Sequence, residues 1–160
     1  GAFGLATRLG IPRKHGQEII DTYFSKFTNV EKYISDSINS AKENGYAETL
    51  LGRRRYLKNI NSGNRVVRQF EERVAINMPI QGTAADMIKL AMIKIYNEFK
   101  KAKVKSKMVL QVHDELVLEV LEGEKDKVKL LVKEEMEKAL LLKVPLRVDM
   151  GLGCNWSGCK

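Results

Sequence analysis

The chain has 160 residues, 44% hydrophobic and 30% charged, which supplies apolar material for a packed core and excludes a wholly disordered polypeptide. No apolar run exceeds four residues, as at Leu90 to Ile93, far short of the ~20 that a membrane-spanning helix needs. Gly1 to Gly10 carries no signal-peptide pattern, so the chain reads as intracellular; its 28 Lys plus Arg against 20 Asp plus Glu, a net +8, favour a polyanionic partner.

In chain order, Pro12 marks a helix entry, and Ile19, Ile20, Tyr23, Phe24 and Phe27 recur three and four apart, which predicts an amphipathic helix. Thr28 or Asn29 is placed to cap a second one, with Val30, Tyr33, Ile34, Ile38 and Ala41 on one stripe and Asn44-Gly45 as its stop. Two helices are thus expected to open the chain. Tyr46 to Leu51 and Tyr56 to Ile60 flank Gly52-Arg53-Arg54-Arg55, a basic, hairpin-like excursion. A helix follows from Arg65 to Ala75 with Val66, Val67, Phe70 and Val74 inward, and Pro79 predicts a bend near Asn77.

Beyond the bend, Ile80, Ala84, Met87, Ile88, Ala91, Met92, Ile95 and Phe99 keep helical spacing over a long core helix. After the basic connector Lys100 to Lys107, Met108, Leu110 and Val112 alternate, and so do Leu116, Leu118 and Val120, as in two strands of a hairpin. Glu124 to Leu142 reads as a helix stopped by Pro145, and Leu146 to Met150 as a final strand. This order predicts an α+β fold, an antiparallel sheet covered by helices. Cys154 and Cys159 provide no disulfide framework and half the ligands of a closed zinc site, so free thiols are expected. Trp156, beside Gly151 and Gly153, is expected to anchor the final strand.

Two constellations bear on chemistry. Val112-His113-Asp114-Glu115-Leu116 sets three polar groups where two apolar strands reverse, without the Asn-Gly or Asp-Gly pair of an ordinary tight turn. Asp114 suits Mg²⁺, which takes one or two protein carboxylates and completes its shell with water and phosphate; a simply solvated turn accounts for the same residues. Arg73, Asn77 and Gln81 recur every four residues and offer donors to minor-groove acceptors, while helix capping at a bend is the competing account. Arg53 to Arg55 suit phosphates or make a solvated basic turn.

Taken together, Glu72-Arg73, Asn77-Met78-Pro79, Gln81-Gly82-Thr83-Ala84-Ala85-Asp86, Gln111-Val112-His113-Asp114-Glu115 and Val144-Pro145-Leu146 resemble the C-terminal part of family A DNA polymerases, the bacterial DNA polymerase I group. Gly45-Tyr46, Thr49-Leu50 and Gly52-Arg53-Arg54-Arg55 extend the resemblance, which runs in order from about Ala2 to Trp156. It implies part of a hand-shaped polymerase domain, with residues 1–83 as the later fingers and 84–160 as the C-terminal palm. It implies that Asp114 is a catalytic metal ligand, that Glu115 supports it, and that Arg73, Asn77, Gln81 and His113 contact primer-template DNA.

The activity so implied is transfer of dNMP from dNTP to a primer 3′ end with two Mg²⁺ ions, in replication and repair at the bacterial nucleoid. The family's second aspartate, in an Asp-Tyr-Ser context, and its Arg, Lys and Tyr contacts to the triphosphate do not occur between Gly1 and Lys160. The chain is therefore expected to need an upstream polymerase segment as partner and to be inactive alone; a non-catalytic duplex-binding module is the alternative. Glu71, where relatives often carry a small residue, and the ending Ser157-Gly158-Cys159-Lys160 depart from the family pattern.

Overall fold

The structure is a computed structural model that describes residues 1–159, leaving Lys160 of the departing tail outside the described residues. It is α+β and helix-rich, with two small antiparallel sheets, and the chain divides into two compact units, Gly1–Ile80 and the residues from Gln81 onward.

The first unit opens with three helices, α1 (Ala2–Leu9), α2 (Arg13–Lys26) and α3 (Thr28–Asn44), where the sequence reading expected two. Ala2 and Ala6 of α1 are buried, as is Gly16 of α2, so small residues let these helices pack closely. Phe3 and Leu9 of α1 stay exposed. Neither Thr28 nor Asn29 caps α3: Thr28 is its first residue, Phe27 precedes it, and no side chain bonds the free N–H groups. Its stop is as expected, with Gly45 at φ 75°, a left-handed conformation that costs glycine least.

Strands β1 (Tyr46–Glu48) and β2 (Arg54–Tyr56) pair antiparallel with Tyr46 opposite Tyr56. Helix α4 (Arg65–Asn77) begins at Asn64, whose side chain accepts hydrogen bonds from the N–H groups of Val66 and Val67. The core joins Ala41, Ala47, Leu57, Ile60 and Ala75, flanked by Val74 and Met78, and the Tyr33 hydroxyl donates to the Ile76 carbonyl at 2.8 Å. Of the α4 residues expected inward, Val74 packs on the core as expected, whereas Val66, Val67 and Phe70 are 76%, 37% and 54% exposed, because the helix turns Val74 and Ala75 to the core. Glu71 has a structural use: its carboxylate accepts from the Asn59 backbone N–H at 3.0 Å and ties the preceding loop to α4.

At the expected bend near Asn77 the local structure is a change of helix type. Met78 keeps φ −59° and ψ −43°, and Met78–Gly82 form a π-helical turn that leads into α5 (Thr83–Lys101). A wider turn accommodates Pro79, which lacks an N–H and clashes with the carbonyl four residues back in a regular α-helix.

In the second unit β3 (Lys107–Val112) and β4 (Glu115–Glu119) form the expected hairpin, covered by α5 and α6 (Lys125–Glu137). Ile95, Phe99, Val128 and Val132 are the buried centre, and Leu116, Leu118, Val120 and Met150 pack around them. The strict alternation expected for β3 fails at Val109, where the register jumps from Met108–Leu118 to Leu110–Val117. This bulge turns Leu110 outward, 48% exposed. Helix α6 ends at Glu137, not Leu142, because the Lys94 ammonium of α5 takes the carbonyls of Lys138 and Ala139 at 2.8 and 3.3 Å. Leu146 to Met150 form no strand; the Val148 N–H is spent on the Glu137 carboxylate at 3.2 Å rather than on a neighbouring strand. Trp156 accordingly anchors no strand but opens a short 3₁₀ turn, Trp156–Cys159, which folds back onto Gly151 so closely that a Cβ there would lie 1.7 Å from the Cys159 carbonyl oxygen. Cys154 and Cys159 are free thiols, as expected.

The base of the hairpin is locked by Glu124. Its carboxylate accepts from the Ser106 hydroxyl at 2.6 Å, the Ser106 N–H at 2.8 Å and the Lys105 N–H at 2.9 Å, while the Ser106 oxygen accepts from Leu121 N–H. The Ser106 hydroxyl first, then the Lys105 N–H, hold the Glu124 pKa below the ordinary carboxylate value. A depressed folded-state pKa gives stability that is full above the unfolded value and lost as pH falls through the folded one. Glu124→Gln is therefore expected to lower Tm at neutral pH, with the gap to wild type narrowing on acidification. A gap independent of pH, read from thermal melts in a pH series, would show that the charge is not what anchors the loop.

Candidate active site and nucleic-acid interface

The Val112–Glu115 pairing leaves His113 and Asp114 as a two-residue turn between β3 and β4. His113 takes the left-handed conformation at φ 53°, one of two non-glycine residues among those described with positive φ. Histidine is tolerated there better than β-branched residues but less well than the Asn-Gly pair that the turn lacks. A two-residue hairpin turn calls for positive φ at this position, so the backbone cost lies in holding it with histidine where asparagine or glycine would hold it more cheaply. One contact stabilises this conformation: Gln111 Nε2 donates to the His113 carbonyl at 2.8 Å. Gln111 belongs to the motif but was not singled out as a site residue; its sequence signal is a polar side chain two positions before the turn, within reach of its own loop.

His113, Asp114 and Glu115 are all exposed, and Asp114 and Glu115 put two adjacent carboxylates at the tip. Behind them, Leu116 and Leu118 are fixed in the core that contains Ile95, so the tip stands on a packed strand and not on a free loop. Arg73 and Asn77 are exposed on one face of α4, four residues apart, and the Arg73 guanidinium lies 5.9 Å from the Phe70 ring centroid. Gln81 is exposed within the π-helical turn Met78–Gly82.

The Arg53 to Arg55 run is not a uniform basic turn. Arg54 lies in β2, ion-paired with Glu48 at 2.5 Å and stacked over the Tyr46 ring at 4.4 Å, and the Glu48 contact raises its pKa further. The Arg53 backbone closes the turn with Thr49, its N–H donating to the Thr49 hydroxyl at 3.2 Å and its carbonyl accepting from the Thr49 N–H at 3.0 Å. His15 is exposed on α2.

Among the described residues no group of three His, Cys, Asp or Glu side chains is gathered as a metal site. Asp114 and Glu115 nonetheless match the one or two carboxylates that a Mg²⁺ site draws from protein when water and phosphate oxygens supply the rest. They fit part of a Mg²⁺ site; a pair of ions held as in two-metal chemistry needs further oxygen ligands.

Residues 1–158 match the sequence model of DNA polymerase family A, and the chain belongs to that family. It is 49% identical over 154 residues to DNA polymerase I of Caldicellulosiruptor bescii, covering 96% of this chain and 18% of that protein. With DNA polymerase I of Streptococcus pneumoniae the identity is 48% over 158 residues, 99% of this chain and 18% of the other. Among solved structures it superposes on the POL domain of Pol1 from M. smegmatis, in complex with DNA primer-template and dNTP, with a TM-score of 0.97 and 45% identity, covering 99% of this chain and 28% of that one. The chain thus spans less than a fifth of the length of these curated relatives.

Proposed function

We propose that this chain is the later-fingers and palm part of a template-directed DNA polymerase, with residues 1–83 in the fingers and 84–160 in the palm. The observation that carries the reading is the tip of the β3–β4 hairpin: a strained two-residue turn, seated on a packed core, that presents Asp114 and Glu115 to solvent in a chain of this family. The reaction forms a bond from the primer 3′ oxygen to the α-phosphorus of dNTP, breaks the bond to pyrophosphate, and releases the 3′ hydroxyl proton. Bound Mg²⁺, two ions in the complete site, would neutralise charge developing on the attacking and leaving oxygens.

Within that site Asp114 is a metal ligand and Glu115 a supporting carboxylate. His113, fixed by Gln111, contacts the primer-template, while Arg73, Asn77 and Gln81 offer donors to minor-groove acceptors, which are nearly the same for either orientation of an A·T pair. Such contacts test duplex geometry without reading sequence, as template-directed synthesis requires. The remaining carboxylate and the triphosphate contacts are assigned to an upstream polymerase segment, so the 160-residue chain alone is inactive.

Primer extension by the native polypeptide that carries this chain, and by the 160-residue chain alone, tests the proposal. The expected result is Mg²⁺-dependent extension by the former and none by the latter, which still binds duplex. Extension by the chain alone would overturn its assigned incompleteness. Duplex binding without extension by the native polypeptide would overturn the polymerase reading in favour of a non-catalytic binding module.

A further inference from the structure

We propose that Lys103, Lys105 and Lys107 form a strip that contacts the phosphate backbone of a nucleic-acid duplex at the end of the β3–β4 hairpin remote from Asp114. Residues 100–107 carry Lys100, Lys101, Lys103, Lys105 and Lys107 and no acid. Part of this charge has a local explanation. Lys100 and Lys101 sit in the last turn of α5, where cations complement the helix dipole, and Lys101 is also paired with Glu98. Lys127 donates to the Ala102 carbonyl at that same helix end.

The other three lysines lie beyond the helix, where its dipole does not account for them. Val104 and Met108 are half-buried and Ser106 is buried, while Lys103, Lys105 and Lys107 are exposed, so the three ammonium groups share the outward side of one segment. None of the three forms an ion pair among the described residues. Glu124 spends its carboxylate oxygens on the N–H groups of residues 105 and 106, and Glu119 stands opposite Lys107 in register. That use of Glu124 also fixes the backbone that carries the strip.

Lys103 adds an independent observation. It is held at φ 54° just past the C-terminus of α5, with Val104 N–H bonded back to the Phe99 carbonyl, a position where glycine is the unstrained choice. A lysine kept there against its backbone preference points to use of its side chain. From Lys105 to Lys107, leading into β3, an extended backbone repeats alternate side chains every ~6.6 Å, close to the ~6.8 Å that two nucleotides of one strand rise along a duplex, while Lys103 stands in the turn before this run. Lysine is a mobile point charge without the planar fork that reads a base edge, so the strip suits a backbone and not a sequence. From Lys107, the first residue of β3, the strand runs roughly 20 Å to the tip, so the strip is a contact additional to those at Asp114.

The test measures affinity of the native polypeptide for a blunt duplex across a KCl series, for wild type and for the triple variant K103Q/K105Q/K107Q. Each phosphate contact adds ~0.9 to the slope of log affinity against log salt, so the variant is expected to lose roughly 2–3 from that slope. Extension of a short primer-template at saturation is expected to be unchanged. Lys103→Gly alone is expected to raise Tm and still lower the slope by about 1, which separates charge loss from misfolding. Unchanged slopes overturn the proposal, as does a loss of extension with the slope intact. Asp114→Asn, run alongside, tests the polymerase reading by extension and leaves the slope alone, so the two readings fail separately.

Discussion

Asp114→Asn is expected to reduce primer extension by the native polypeptide by about 10³-fold or more while duplex affinity stays within about twofold. The magnitude follows from charge. A metal ligand placed at the reacting oxygens is worth several kcal/mol in the transition state, and each 1.36 kcal/mol is tenfold in rate. Asparagine keeps the size and one oxygen of aspartate but not its charge, and Asp114 is exposed with a negative φ, so the substitution neither opens a cavity nor strains the turn. The turn is held by His113 and Gln111, which the variant leaves in place. Under the proposed function duplex affinity rests on Arg73, Asn77, Gln81 and His113, none of which is altered. Single-turnover extension with saturating dNTP, beside equilibrium binding to the same primer-template, separates the two effects. Extension within tenfold of wild type would remove Asp114 from the metal site; a parallel collapse of binding would make it a DNA contact.

The tip was legible because its signals are local. Alternating Leu116, Leu118 and Val120 fix which face of β4 is buried, and the missing turn pair at His113-Asp114 flags a position chosen for something besides reversal. The same reasoning reached the stop of α3 at Gly45 and the course of α5, where Ile95 and Phe99 lie on one inward stripe. What it missed depends on competition for backbone groups by side chains distant in sequence. Lys94 claims the carbonyls past Glu137 across 44 and 45 residues, so periodic apolar residues alone carry the expected helix too far. Glu137 takes the Val148 N–H from a segment whose alternation reads as strand. Pro79 marks a place that a regular α-helix cannot hold, but not that a wider π-helical turn is what holds it there. In α4 the apolar stripe Val66, Val67 and Phe70 fits helical spacing equally well, but it is Val74 and Ala75 that join the core of the first unit.

The candidate site residues divide along the same line. Spacing alone places Arg73 and Asn77 together on α4, and hairpin geometry gathers His113, Asp114 and Glu115. The role of Gln111 was not legible, because a glutamine on an exposed strand face carries no signal until its hydrogen bond to the His113 carbonyl is seen. Arg54 is the opposite case: in sequence it is one of three equivalent arginines, whereas in structure Glu48 and Tyr46 occupy it.

Ile95→Ala carries the largest expected effect on stability, a loss of about 2–5 kcal/mol, against about 0.5–1.5 for Ile95→Val at the same place. Ile95 is fully buried at the centre of the second unit, and its neighbourhood contains Phe99 of α5, Val128 and Val132 of α6, and Leu116 and Leu118 of β4. Truncation to alanine loses both the transfer energy of the removed carbons and the contacts around the cavity left behind. Set against the 5–15 kcal/mol typical of a whole domain, this is enough to raise the unfolded fraction of the second unit greatly. The graded pair makes the prediction specific: denaturant midpoints should fall in the order wild type, Val, Ala, with the slope of the transition unchanged. The hairpin tip gives a second readout. Gln111 and His113 make their bond within the turn, so extension per folded molecule should survive in Ile95→Ala even as the folded population drops. A loss of extension with no loss of stability would mean that α5 positions Asp114 through Ile95 rather than merely supporting the strand beneath it.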